Sequence, residues 1–159
     1  MKPNEDWEDL KTLVERAKDI HGHLGPFLVL GVKMGLAGMK RLGIKENMRQ
    51  LHVETEMPRQ IPYTCTLDGI QATTQCTFGN QRLAFKEANL PIISAKFGLK
   101  NQNKQVIISL KDEILQTLMK KLKEAEKDAT VVQEKLAWMI ASMPEDKLFS
   151  IKVNNYFTE

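Results

Sequence analysis

The chain has 159 residues, 42% of them apolar and 27% charged, and its 23 basic and 20 acidic side chains leave a net charge of +3. That size suits one domain with one hydrophobic core, here taken as 1–159, and so small an excess of charge is no electrostatic footprint for nucleic acid. No segment approaches the roughly 20 apolar residues of a membrane span, and the opening "MKPNEDWEDLKTL" has no apolar signal core, so a cytoplasmic protein without membrane contact is expected. Its two cysteines, Cys65 and Cys76, are then reduced, and any value they have is chemical.

Trp7, Leu10, Leu13, Val14 and Ala17 recur at helical spacing, with Glu5, Asp6 and Glu8 in the first turn where the helix dipole favours them. This predicts a first helix ending near Lys18. Residues 26–42 are apolar nearly all round, with Pro26 suited to the first helical position and Gly43 to the stop, which predicts a buried helix. Gly31, Gly35 and Gly38 inside it each cost about 1 kcal/mol relative to alanine, and their spacing points to a face on which another backbone packs closely.

"LHVETEM" at 51–57 alternates as a half-buried strand does, and a further helix is expected from about Cys65 to Thr74, before the turn-like "FGN" at 78–80. Ile93, Ala95, Phe97 and Leu99 alternate again, as do Val106, Ile108 and Leu110 beyond "KNQNK", which predicts an antiparallel hairpin. Two helices, about 112–126 and 130–142, and a short strand in "KLFSIKV" complete the chain. The order fits an α+β fold with an antiparallel sheet. Met34, Met39, Met48 and Met57 read as core filler.

The chemistry gathers in two stretches. In "DIHGHLGPF", His21 and His23 are two residues apart, a spacing that would point them away from each other on a helix. Gly22 and Gly25-Pro26 place the pair instead in the connection between the first two helices, where His-x-His can chelate a divalent metal or simply hydrogen-bond a helix entrance. In "TCTLDGIQATTQCTFGN", Cys65 stands at a helix start, where free backbone N–H groups favour a thiolate, the form that attacks electrophiles and ligates soft metals. Asp68 lies in the same turn as either a proton handler or a dipole-complementing carboxylate. Cys76 reads as a small buried thiol. His52, beside Glu54 on the polar face of a strand, has a weaker claim. There is no Gly-x-Ser-x-Gly elbow, Walker loop, His-Glu-x-x-His or Cys-x-x-Cys pair.

Taken together, "HGHLGPFLVLGVKMG", "CTLDGIQ" and "QCTFGNQRL", in that order over 21–83, closely resemble the FmdE-like family, which takes its name from a component of formylmethanofuran dehydrogenase. The resemblance implies an α+β core that forms a homodimer. It also implies a metal site built from the histidines of the His-Gly-His segment and the cysteine before Asp-x-Ile-Gln, which are His21, His23 and Cys65 here. Three departures stand out. Gly25 and Phe27 occupy places where the family usually has a cysteine and a glycine, Gln75 replaces the usual glycine before the second Cys-Thr, and no cysteine follows Cys76 to build the zinc finger that some members carry.

The expectation is a protein binding one transition metal, zinc before nickel, copper or iron, and acting as a metal-dependent enzyme on a small molecule, with Asp68 or Glu54 handling protons. One rival is a non-catalytic accessory or metal-handling protein associated with one-carbon or molybdopterin enzymes. A second, a metal-free thiol enzyme using Cys65 with a histidine base, lacks a clear residue to orient that histidine.

Overall fold

A computed structural model describes residues 3–44, 49–100, 102–125 and 129–155. Helix α1 (Pro3–His21) leads into α2 (Pro26–Leu42), which is buried from Pro26 through Gly35 and packs against α1, α3 (Cys65–Thr74), α5 (Ala129–Ser142) and the sheet. Pro26 begins α2 behind an extended Gly25, and Gly43, at φ 74°, ends it in the left-handed conformation that lets its N–H reach the Lys40 carbonyl at 3.1 Å.

The α2 glycines mark where backbones meet. A Cβ on Gly31 would fall inside contact distance of the Thr66 carbonyl oxygen, and one on Gly69 would fall equally close to the Leu28 carbonyl. One on Gly35 would lie 2.9 Å from the Thr73 side chain. Each helix therefore presents a glycine to the other's backbone, which sets α3 flush against α2. The helix propensity lost at these positions is offset by that contact.

Strands β1 (Leu51–Met57), β2 (Leu83–Glu87), β3 (Ser94–Leu99), β4 (Lys104–Leu110) and β5 (Phe149–Asn155) form a five-stranded sheet in the order β2-β1-β3-β4-β5. The sheet of this α+β fold is mostly antiparallel, as expected, with three antiparallel pairings, and it is mixed only because β1 and β2 run parallel. The reason lies in the connection 58–82, which contains α3 and carries the chain back to the end of the sheet where β1 began, as a parallel pair requires. Leu51, Val53, Met57, Ala95, Phe97, Val106 and Ile108 face inward and are buried.

Helix α4 (Asp112–Glu124) buries Leu115 and Leu118, and a single turn, α6 (Glu145–Leu148), precedes β5. At the end of α5 the buried Lys33 of α2 donates to the carbonyls of Ile140 and Ala141, both at 3.1 Å, and to that of Met143. Three N–H bonds thus reach the carbonyls around a helix terminus, where that of Ile140 also accepts the Met143 N–H at 3.2 Å. Met34, Met39 and Met57 are buried core residues, while Met48 lies outside the described residues. Among the described residues no helix is long and apolar enough to cross a membrane.

Candidate functional site

Because α1, α2 and α3 pack on one another, the end of the first meets the starts of the other two. Helix α1 runs past Lys18: Asp19, Ile20 and His21 continue it until Gly22, at φ 97°, stops it with its N–H on the Lys18 carbonyl at 2.7 Å. His21 is therefore the last residue of a helix and not a loop residue, and His23 alone of the pair lies in the turn. Beyond Gly22 the two rings stand side by side, with centroids 4.4 Å apart.

Cys65 is the first residue of α3, and Asp68 lies one turn further on the same helix. Asp68 Oδ2 is 2.6 Å from His21 Nδ1, whose side chain is 13% exposed. A carboxylate only accepts, so Nδ1 carries the hydrogen and donates it. His21 Nε2 is buried and has no hydrogen-bond partner among the described residues.

His21, His23 and Cys65 line one cavity of about 80 Å³. Its apolar wall comes from Phe27, Leu28, Pro62 and Leu122, and Gln133 of α5 adds an amide. As the side chains stand, no three His, Cys, Asp or Glu groups among the described residues are close enough together to hold one ion.

His23 is exposed to solvent, and partial desolvation of its ring, with the neighbouring His21 second, lowers its pKa and favours its neutral, lone-pair-bearing form. Cys65 departs from expectation. Burial first and the Asp68 carboxylate second raise its pKa, and the opposing pull of a backbone hydrogen bond is the smallest of the three influences. The helix start does not make Cys65 a thiolate, because the thiol is buried with an anion one turn away.

Glu54 is not brought to this cavity. It projects from the exposed side of β1, pairs with Lys96 Nζ at 2.7 Å across β3, and lines a separate groove that shares no residue with the cavity. His52, on the same strand, lies against Gly98, and its Nδ1 is buried without a partner among the described residues. Cys76 is a buried free thiol donating to the Leu51 carbonyl at 3.3 Å, as a core thiol does.

Two residues had no assigned role in the sequence. Gln71 bonds Asp68 from three positions along α3, a spacing that was available as a signal. Gln133 enters from a helix distant in sequence, and nothing in its local pattern announces it.

These features make a mixed-sheet α+β domain with a cavity carrying two imidazoles and a thiol. The profile of the family described as "FmdE, Molybdenum formylmethanofuran dehydrogenase operon" matches residues 20–150, and the chain belongs to that family. The crystal structure of a tungsten formylmethanofuran dehydrogenase FmdE-like protein from Syntrophus aciditrophicus shares the fold, with a TM-score of 0.62 over 93% of this chain and 73% of that one at 17% identity. A probable S-adenosyl-L-methionine-binding protein of Archaeoglobus fulgidus is 38% identical over 76 residues, which are 48% of this chain but 21% of that protein. The match thus spans about a fifth of that curated relative.

Proposed function

We propose that His21, His23 and Cys65 hold one transition-metal ion, zinc by preference, and that the protein is a metal-dependent enzyme acting on a small molecule. The observation that carries this reading is the state of His21: Nδ1 is bound to a carboxylate while Nε2 is buried beside the cavity with no partner among the described residues. A buried acceptor left unsatisfied costs about 1–3 kcal/mol, which ligation would offset. An imidazole whose second nitrogen is held by a carboxylate is also how metal-binding histidines are oriented.

The donor set fits the ion. Two neutral imidazoles and a thiolate suit zinc, and the lowered pKa of His23 supports its ligand form. The raised pKa of the Cys65 thiol gives way in the presence of a cation, since a coordinating thiol is deprotonated outright. The three do not converge on one point as they stand, so holding an ion requires their side chains to move.

Zinc, when bound, would lower the pKa of a water in its remaining position and polarise a carbonyl oxygen. The chain's own residues do the rest. Asp68 keeps His21 in the Nδ1–H tautomer, Phe27, Leu28 and Leu122 supply an apolar wall, and Gln133 offers an amide for orientation. The cavity of about 80 Å³ is small, so it takes a small molecule or one small end of a larger one. The family's link to a formylmethanofuran dehydrogenase operon supports one-carbon chemistry as the setting, and the family resemblance supports a homodimer. S-adenosylmethionine binding is not carried over from a relative matched over so small a part.

Calorimetric titration of tag-free protein with zinc tests the reading. One ion per chain is expected in the wild type, with binding strongly weakened in His21→Ala and Cys65→Ser. Full binding by both variants would overturn it.

A further inference from the structure

Asp68 has two carboxylate oxygens, and His21 engages only one. The other, Oδ1, accepts from Gln71 Nε2 at 3.1 Å, and Gln71 Oε1 accepts the backbone N–H of Phe78 at 3.3 Å. The carboxamide has one orientation that satisfies both partners: the N–H can only donate and the carboxylate can only accept.

The Phe78 N–H is itself held in place by the turn around it. Asn80 Oδ1 accepts from the N–H groups of Thr77 and Arg82, both at 3.0 Å, and Asn80 Nδ2 donates to the Gln75 carbonyl at 2.7 Å. Thr77 Oγ1 accepts the Asn80 N–H at 3.1 Å. A continuous line of hydrogen bonds therefore runs from the turn at 77–82, through Gln71 and Asp68, to His21. Each of the three sequence stretches that marked this chain supplies a part of it.

We propose that Gln71 is the positioning residue of the site. It fixes Asp68 in the rotamer that receives His21 Nδ1–H, so that Nε2 stays bare beside the cavity, and the turn at 77–82 is its anchor. Asp68 needs this second hold because its side chain is 32% exposed and otherwise free to turn to water. Gln71 touches neither the metal nor the substrate. The inference rests on the reading of His21 as a ligand through Nε2, and its effect on the His21 tautomer can be read without any metal.

The test is nitrogen-15 NMR of the histidine rings in chelator-treated protein at about pH 8. In the wild type, His21 should show a protonated Nδ1 and a bare Nε2. Gln71→Met, which keeps the size and removes both hydrogen bonds, should convert this to a mixture of tautomers with circular dichroism unchanged, and should weaken zinc binding about 10-fold. Gln71→Glu still accepts from Phe78 but cannot donate to Asp68, so it should show the same mixing; a glutamine that merely tied the turn to α3 would be rescued by it. Wild-type His21 signals in both variants would overturn the proposal even if zinc binds. Tautomer mixing in both, with a wild type that binds no zinc, would leave Gln71 positioning His21 and remove the metal reading instead.

Discussion

His21 and Asp68, separated by 47 positions in the chain, meet at 2.6 Å where the last residue of one helix reaches the first turn of another. Asp68 thereby has a definite task that its place in the first turn alone did not assign. Asp68→Ala should lower zinc affinity about 10- to 100-fold, the usual effect of removing a carboxylate that orients a ligating histidine. Competition against a chromogenic chelator measures it, and an unchanged affinity would separate Asp68 from the metal.

Cys65 should alkylate slowly near neutral pH even after chelation, because burial and Asp68 hold its thiol protonated above the usual range. Its rate should climb only on the alkaline side of an ordinary cysteine. Mass-spectrometric labelling across pH reads this directly. Rapid labelling of folded, chelator-treated protein at neutral pH would favour the thiol-enzyme alternative.

The close seat of α3 on α2 makes Gly31 intolerant of any side chain. The atom that a Cβ would meet is a backbone carbonyl oxygen, which cannot swing aside. Gly31→Ala should cost about 1–3 kcal/mol or more by overpacking, and Gly69→Ala about the same. At Gly43 a Cβ would meet nothing, so Gly43→Ala should carry only the penalty of a left-handed backbone, about 1–2 kcal/mol. Urea denaturation compares the three.

Lys33→Met should destabilise the fold by about 1–3 kcal/mol, since it takes the ammonium donor away from the Ala141, Met143 and Ile140 carbonyls, of which that of Ile140 keeps the Met143 N–H. A pH dependence accompanies it. Burial lowers the Lys33 pKa, with Glu145 pulling the other way, so on the alkaline side the unfolded chain holds this proton after the folded chain has lost it. Stability rises with pH wherever the unfolded state binds more protons, so the wild type should gain on Lys33→Met as pH rises towards the ordinary lysine value. Denaturation midpoints of both proteins along a pH series check the sign.

Alternation made β1, β3 and β4 legible, because one face of each is buried and the other is not. β2 was not legible: "LAFKE" is a five-residue edge strand with one buried side chain, and its parallel pairing depends on where α3 delivers the chain. Glycine punctuation located the ends of α2 but misplaced the end of α1, since Asp19 and Ile20 look like an approach to a turn and are helical until Gly22. The His21, His23 and Cys65 neighbourhood was legible through three motifs and their order. Glu54 was drawn towards it only by being a carboxylate near His52, and strand alternation turns it to the far side of the sheet. The local thiolate argument for Cys65 failed because a helix terminus says nothing about burial or about which charge lies one turn away.

Whether one ion sits on His21, His23 and Cys65 together is read from the zinc X-ray absorption spectrum of tag-free protein loaded with one equivalent, taken alongside its variants. One sulfur at about 2.3 Å and two imidazole nitrogens at about 2.0–2.1 Å are expected, with the sulfur lost in Cys65→Ser and kept in Cys76→Ser. A shell without sulfur in the wild type, or an identical shell in His21→Ala, His23→Ala and Cys65→Ser, would contradict it.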